Sequence, residues 1–227
     1  MNTKVFTVSL GFVNAYLLKQ GDEYLLVDTG MPGQWKALSE GLKSNGCYPG
    51  LLKLVVLTHA DVDHSGNCSR IKQTFNAPIA VHPLDAPALE TGLPPERTIR
   101  TFAARLLFGL IGLLRGLRGR APAAQTFTPD VLLPDGASLS DYGFPAEILH
   151  LPGHTKGSIG LLTDTGDFFA GDLCVNRRRP SLSPYVENLD DYRESIAKAK
   201  GLSGSISTVY PGHGRSFPGD RLSALSL

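Results

Sequence analysis

The chain has 227 residues, 42% hydrophobic and 19% charged, with a net charge of +1. That length suits a single α/β domain, residues 1–227, with a sizeable core, and the near balance of charge gives no electrostatic footprint for nucleic acid. Three cysteines, Cys47, Cys68 and Cys174, show no metal-ligand spacing and cannot all pair, and residues 1–8 alternate rather than forming an apolar signal run; a reducing, cytoplasmic setting is the default expectation.

Residues 5–10 and 14–19 read as strands separated by Gly11, and 24–27 as a third after the turn at 20–23, together an antiparallel meander. Asp28-Thr29-Gly30 ends it, and 32–42 can form a helix with Trp35, Leu38 and Leu42 on one face. Residues 53–58 are an apolar, β-branched run that reads as a buried strand. The chain then turns abruptly polar and offers His59, Asp61, Asp63 and His64 within six residues. Alternating positions on an extended or tightly turning chain let several of these side chains converge, at the strand end where open α/β sheets place their ligands. Neutral imidazole and carboxylate are ligands of zinc, iron(II) and manganese; the competing reading is a solvated loop. A short helix over 68–75 and a strand over 78–81 complete a βαβ unit, so the sheet becomes partly parallel.

Residues 83–125 break the pattern, with an insertion at about 93–125. The stretch 98–118 is apolar and studded with arginine, and its apolar core, 106–114, is too short to span a bilayer. It reads as an inserted helical cap; a lid, a homodimer contact, a buried core helix and membrane-surface attachment through 98–120 stay open. Strands resume at 131–133, 146–151, 158–163 and 167–170, followed by a helix at 190–200 and a strand at 207–210. Meander and helices thus occur twice, the pattern of two sheets packed face to face with helices outside.

Three later segments share a design. His154 follows Pro152-Gly153, Asp172 follows Ala170-Gly171, and His213 follows Pro211-Gly212, each at a strand end. Glycine beside each candidate lets the backbone turn sharply and approach a metal. Of the six histidines, His82 and His150 lie within or just after apolar runs and read as structural, or as supports behind the ligands.

The series Thr58-His59-x-Asp61-x-Asp63-His64, then His154, Asp172 and His213, together with Asn14-Ala15-Tyr16-Leu17 and Val27-Asp28-Thr29-Gly30, resembles the metallo-β-lactamase superfamily over nearly the whole chain. The resemblance implies a four-layer αβ/βα sandwich of two mixed sheets, with two divalent metal ions bound along one edge. It puts His59, Asp61 and His154 on the first metal, Asp63, His64 and His213 on the second, and Asp172 between them. Asp28 would hold a ligand loop by hydrogen bonds. Zinc is the expected ion, with iron or manganese open.

One position departs from the family pattern His-x-His-x-Asp-His: Asp61 stands where the second histidine belongs. A carboxylate still reaches a metal, at about 2.0–2.2 Å, but it adds negative charge. The ligand set then carries three carboxylates against two divalent ions. That predicts a less acidic bound water, weaker attraction for anionic substrates and a shift toward harder ions; a one-metal site is a further option.

The chemistry implied is hydrolysis of an ester, thioester or related bond of a small molecule by metal-activated water, with Asp63 orienting or deprotonating that water. Size and motif layout are similar to glyoxalase-like thioesterases and acyl-homoserine lactonases, although Val175 stands where the lactonases carry a tyrosine. Arg177, Arg178 and Arg179 closely follow Asp172 and could clamp a substrate carboxylate or phosphate. The alternative is a catalytically weak member of the fold, its first metal site spoiled by Asp61, that binds or senses a small ligand.

Overall fold

The computed structural model describes residues 3–93, 98–99 and 126–226. Strands β1 (Lys4–Ser9), β2 (Asn14–Gln20) and β3 (Glu23–Val27) form the expected antiparallel meander. Helix α1 (Trp35–Ser44) leads to β4 (Leu52–Val56), which runs parallel to β3. The one-turn α2 (Val62–Ser65) and α3 (Cys68–Phe75) precede β5 (Ile79–Val81), parallel to β4. Then come α4 (Ala86–Thr91), β6 (Thr98–Ile99) and β7 (Val131–Leu132), the last parallel to β5. The first sheet has the order β1-β2-β3-β4-β5-β7.

The second half supplies β8 (Ala146–His150), β9 (Ile159–Thr163), β10 (Asp167–Asn176), β11 (Ser181–Leu182), β12 (Tyr185–Val186), α5 (Leu189–Gly201), β13 (Thr208–Gly214) and β14 (Phe217–Pro218). Its sheet has the order β14-β13-β10-β9-β8, with β11 pairing on β10. The β10–β13 pair is parallel and its other pairs are antiparallel.

Strand alternation sorts the apolar residues into three cores, and these define four layers. Ala15, Leu17, Tyr24, Leu26 and Val55 face outward onto Leu38 and Leu42 of α1 and Ile71 and Phe75 of α3. Their neighbours Tyr16, Leu18, Leu25, Val27, Leu54 and Val56 face inward onto Ile148, Ile159, Leu161 and Phe169 of the second sheet. The far face of that sheet, with Leu149, Leu151 and Phe168, packs on Tyr192, Ile196 and Ala199 of α5. Both faces of the central strands are therefore buried, which is why β2, β3 and β4 read as near-continuous apolar runs.

Where structure and sequence reading differ, glycine is usually the reason. The helix expected over 32–42 starts only at Trp35, because Gly33 takes a φ of +89° in the preceding turn. The strands expected to stop at 170 and 210 are β10 and β13, and both run on through Asp172 and His213. The β10–β13 register shifts on both sides of Gly171, whose φ is +50°. That irregularity, a bulge-like device, turns the chain without ending the strand. Residues 98 and 99, expected to open a helix, form β6 and pair with β12. The rest of the expected helical cap, like most of 93–125, lies outside the described residues. No helix among the described residues is long and apolar enough to cross a membrane.

The turn carrying His154 is pressed against α5. Gly153 has a φ of +121°, and a Cβ there would lie 2.4 Å from the backbone of Tyr192. A Gly153→Ala substitution combines left-handed strain with a backbone clash. It is expected to cost at least about 2 kcal/mol, lowering the thermal midpoint by roughly 4–8 °C. Calorimetric melting of the two proteins checks this, and an unchanged midpoint would show that the turn can withdraw freely from the helix.

Candidate metal centre

The candidate ligands sit just beyond strand ends or at the irregular stretches of β10 and β13. His59 and Asp61 lie in the turn after β4, and Asp63 and His64 lie on α2. His154 is on the turn between β8 and β9, Asp172 is within β10, and His213 is within β13. Separate pieces of both sheets thus deliver side chains to one edge of the sandwich.

The side chains form two adjoining groups. Asp61 Oδ2 lies 3.4 Å from His59 Nε2 and 3.3 Å from His154 Nε2. Asp172 Oδ2 is 3.8 Å from His154 Nε2 and 3.4 Å from His213 Nε2, while its Oδ1 is 3.5 Å from His64 Nε2. Asp63 Oδ2 is 3.5 Å from His213 Nε2 and 4.0 Å from His64 Nε2. The donor atoms of His59, His154 and Asp172 lie within 4.8 Å of one another, as do those of Asp63, His64 and His213. Asp172 is the member that touches both groups.

The hydrogen bonds fix the imidazoles in one tautomer. His64 Nδ1–H donates to Asp28 Oδ2 at 2.8 Å, His154 Nδ1–H to the Tyr185 carbonyl at 3.0 Å, and His213 Nδ1–H to the Phe12 carbonyl at 2.6 Å. The Thr58 hydroxyl donates to Asp28 Oδ2 and so accepts from His59 Nδ1–H at 3.0 Å. All four rings therefore turn Nε2 toward the same point, a lone pair whenever the ring is neutral. His59 Nε2, His64 Nε2 and Asp172 Oδ1 are buried with no hydrogen-bond partner. Buried polar atoms rarely stay unpaired, and divalent cations take this donor set of nitrogen and carboxylate oxygen. The residues fit two such ions.

Electrostatics agree. Burial alone would push the His64 imidazolium down, but the carboxylates of Asp28, Asp63 and Asp172 outweigh it and hold the pKa up at about 10. Burial likewise opposes charge on His213, yet Asp172 raises it. His59, fully buried beside His64, is lowered and neutral. Burial would raise Asp172, but the surrounding imidazoles hold its carboxyl well below the usual range. Protons and a cation compete for these atoms, so the affinity for the cation rises with pH.

Two carboxylates outside the ligand groups brace the loops. Asp28 has a φ of +61°, unusual for a non-glycine residue. That backbone turn lets it accept from Thr58 N, the Thr58 hydroxyl and His64 Nδ1, each at 2.8 Å. Asp85, which the sequence reading does not single out, accepts from Ala60 N at 2.8 Å, the Thr155 hydroxyl at 2.9 Å and Gly157 N at 2.8 Å. It ties the His59–Asp61 turn to the His154 turn. It lies four residues past β5, at the start of α4 and with no glycine beside it, so no local signal in the sequence marks it. A third brace comes from Asn14 and Tyr16. Asn14 donates to the Gly214 carbonyl at 2.7 Å, and the Tyr16 hydroxyl to that of Pro211 at 2.6 Å, on either side of His213.

His82 and His150 lie outside both groups and stack on one another, with ring centroids 4.0 Å apart. Arg177, Arg178 and Arg179 are exposed. Of the three, only Arg177 lines the groove beside His213.

Known proteins resemble this chain in sequence and fold. The family model of the metallo-beta-lactamase superfamily matches residues 8–213. Acyl-coenzyme A thioesterase MBLAC2 of Homo sapiens is 27% identical over 233 residues, covering 94% of this chain and 77% of its own. A protein of Methanocaldococcus jannaschii named as a probable metallo-hydrolase is 28% identical over 218 residues, covering 92% of this chain and 90% of its own. A metallo-beta-lactamase family protein from Thermus thermophilus shares the fold, with a TM-score of 0.71 at 23% identity, over 98% of this chain and 77% of its own.

Replacing either brace tests its role. An asparagine at position 28 or 85 cannot accept all three hydrogen bonds, because its amide nitrogen would face an N–H or O–H donor. Asp28→Asn and Asp85→Asn are each expected to weaken metal affinity about 10–100-fold, measured by competition with a chromophoric chelator. Unchanged affinity in both would mean that the loops hold themselves.

Proposed function

This chain belongs to the metallo-β-lactamase superfamily, and on that premise we propose that it is a metal-dependent hydrolase of small-molecule thioesters or esters. The observation that carries the reading is the convergence of four Nε2 atoms and three carboxylates on one buried edge. His59, Asp61 and His154 would hold one divalent ion, Asp63, His64 and His213 a second, and Asp172 would contact both. Zinc suits this donor set, and iron or manganese suits its oxygen-rich character. Such a pair of ions, when bound, lowers the pKa of water and polarises a carbonyl.

The chain's own residues supply the rest. Asp63 is the most exposed carboxylate of the ligand groups, at 23%, whereas Asp172 is at 8%. Asp63 therefore reaches the solvent side, where it can orient an attacking water and take its proton. The Nδ1 hydrogen bonds keep the imidazoles from rotating as charge develops. The thioester preference rests on the likeness to acyl-coenzyme A thioesterase MBLAC2.

The test is turnover of a panel of acyl thioesters, oxyesters and phosphoesters by the purified protein. Thioester or ester cleavage is expected, lost on chelation and restored by zinc, manganese or iron(II). Asp63→Asn should reduce kcat by about 10²–10⁴-fold. Turnover that survives complete chelation, or confined to phosphoesters, would contradict the reading.

A further inference from the structure

Beside His213 lies an open groove of about 400 Å³, lined by Phe12, Asn14, Asn176, Arg177, Gly214 and Arg215 among others. It adjoins the ligand group through Phe12 and Gly214, the neighbours of His213 in space and in sequence. The Phe12 ring stacks on the His213 ring, with centroids 5.9 Å apart and planes at 8°, and the Phe12 carbonyl accepts the His213 Nδ1–H. Resting on the hydrolase reading above, we propose that this groove is the substrate's anion subsite. Arg177 and Arg215 would grip a phosphate or carboxylate carried a few bonds from the scissile carbonyl, and Phe12 would wall the linker between.

The groove's floor is built rather than incidental. Asn14 Nδ2 donates to the Gly214 carbonyl at 2.7 Å, and Asn176 Nδ2 to that of Arg215 at 2.9 Å. Arg215 N donates back to the Asn176 carbonyl at 2.9 Å. Gly214 has a φ of +94°, and a Cβ there would lie 2.0 Å from the Asn176 carbonyl oxygen. Only glycine lets the two strand ends approach so closely, and that approach brings Arg177 and Arg215 to the same groove.

The charge balance points to an anion. Arg177 and Arg215 are exposed, and neither pairs with an acid among the described residues. Among the described residues, no aspartate or glutamate lines the groove. Two guanidinium forks without a counter-ion suit one phosphate or carboxylate. The subsite also answers the departure at Asp61. A ligand set with three carboxylates attracts an anion less than the usual set, so a positive site beside it restores that attraction. Arg215 follows His213 by two residues, which places its Cα within about 7 Å of that of His213. The recognised anion would therefore lie near the reacting bond.

Two matched pairs of acyl thioesters test this. Those of N-acetylcysteamine and N-acetylcysteine differ by one carboxylate close to sulfur; those of pantetheine and 4′-phosphopantetheine differ by one phosphate further away. The wild type is expected to show a KM at least about tenfold lower for the anionic member of one pair, and the pair that responds identifies the anion. In Arg177→Ala/Arg215→Ala that preference should vanish, with kcat on the neutral member and metal content unchanged. The control Arg178→Ala/Arg179→Ala, whose residues do not line the groove, should keep it. Titration calorimetry with the uncleavable thioether analogues reads the groove even if no thioester is hydrolysed, and the double variant should lose about tenfold in affinity there. Equal affinity for charged and neutral analogues in the wild type, or an equal loss in the control, would overturn the subsite. Absence of any turnover with the charge preference intact in calorimetry would instead overturn the hydrolase reading alone.

Discussion

The buried carboxylate of Asp28 is the constraint on which the rest of the centre depends. Its left-handed backbone turns the side chain back under the end of β4, where it takes three hydrogen bonds at once. One orients His64 directly, and another orients His59 through the Thr58 hydroxyl. The same turn donates Thr29 N to the His64 carbonyl at 2.7 Å, so α2 is fixed at both its backbone and its ring. The left-handed conformation costs of order 1–3 kcal/mol. The four-layer packing around it must hold that strain, since β3 and β4 are buried on both faces.

Asp85 does for the other half what Asp28 does for the first. It spans the turn after β4 and the turn after β8, which come from different sheets. The centre therefore sits at the seam between sheets, with one acid anchoring it within the first sheet and another bridging to the second. This explains how side chains from both sheets converge within a few ångströms. Each ring is positioned by a partner on a different piece of chain or by a residue so positioned, and none depends on its own loop alone.

The cluster of candidate ligands is legible in the sequence because the pattern is local. A run of histidine and aspartate after β4, and single ones after a glycine at 154, 172 and 213, signal tight turns with converging side chains, and His59, Asp61, Asp63, His64, His154, Asp172 and His213 all reach one edge. The sandwich is legible too, from alternating strands with apolar residues on both faces. What stays hidden is long-range. Gly171 reads as the end of a strand, but the pairing of β10 with β13 carries the strand through it. Asp85 reads as part of a loop, because its three donors lie elsewhere in the chain. The groove beside His213 joins Asn14 to Gly214, nearly the whole chain apart, and neither residue announces the other. The stretch 98–118 reads as helix from its apolar run, yet its first two residues pair with β12, since backbone hydrogen bonding to an available edge outweighs a weak local preference.

Asp61 decides between a working first site and a spoiled one. Its carboxylate oxygen lies near both His59 and His154, as a ligand's must. The most direct measurement is metal content by mass spectrometry of protein purified without added metal, for the wild type and for Asp61→His. Two equivalents per chain in the wild type are predicted, with Asp61 as a working ligand. One equivalent that rises to two in Asp61→His, or no metal in either protein, would contradict it.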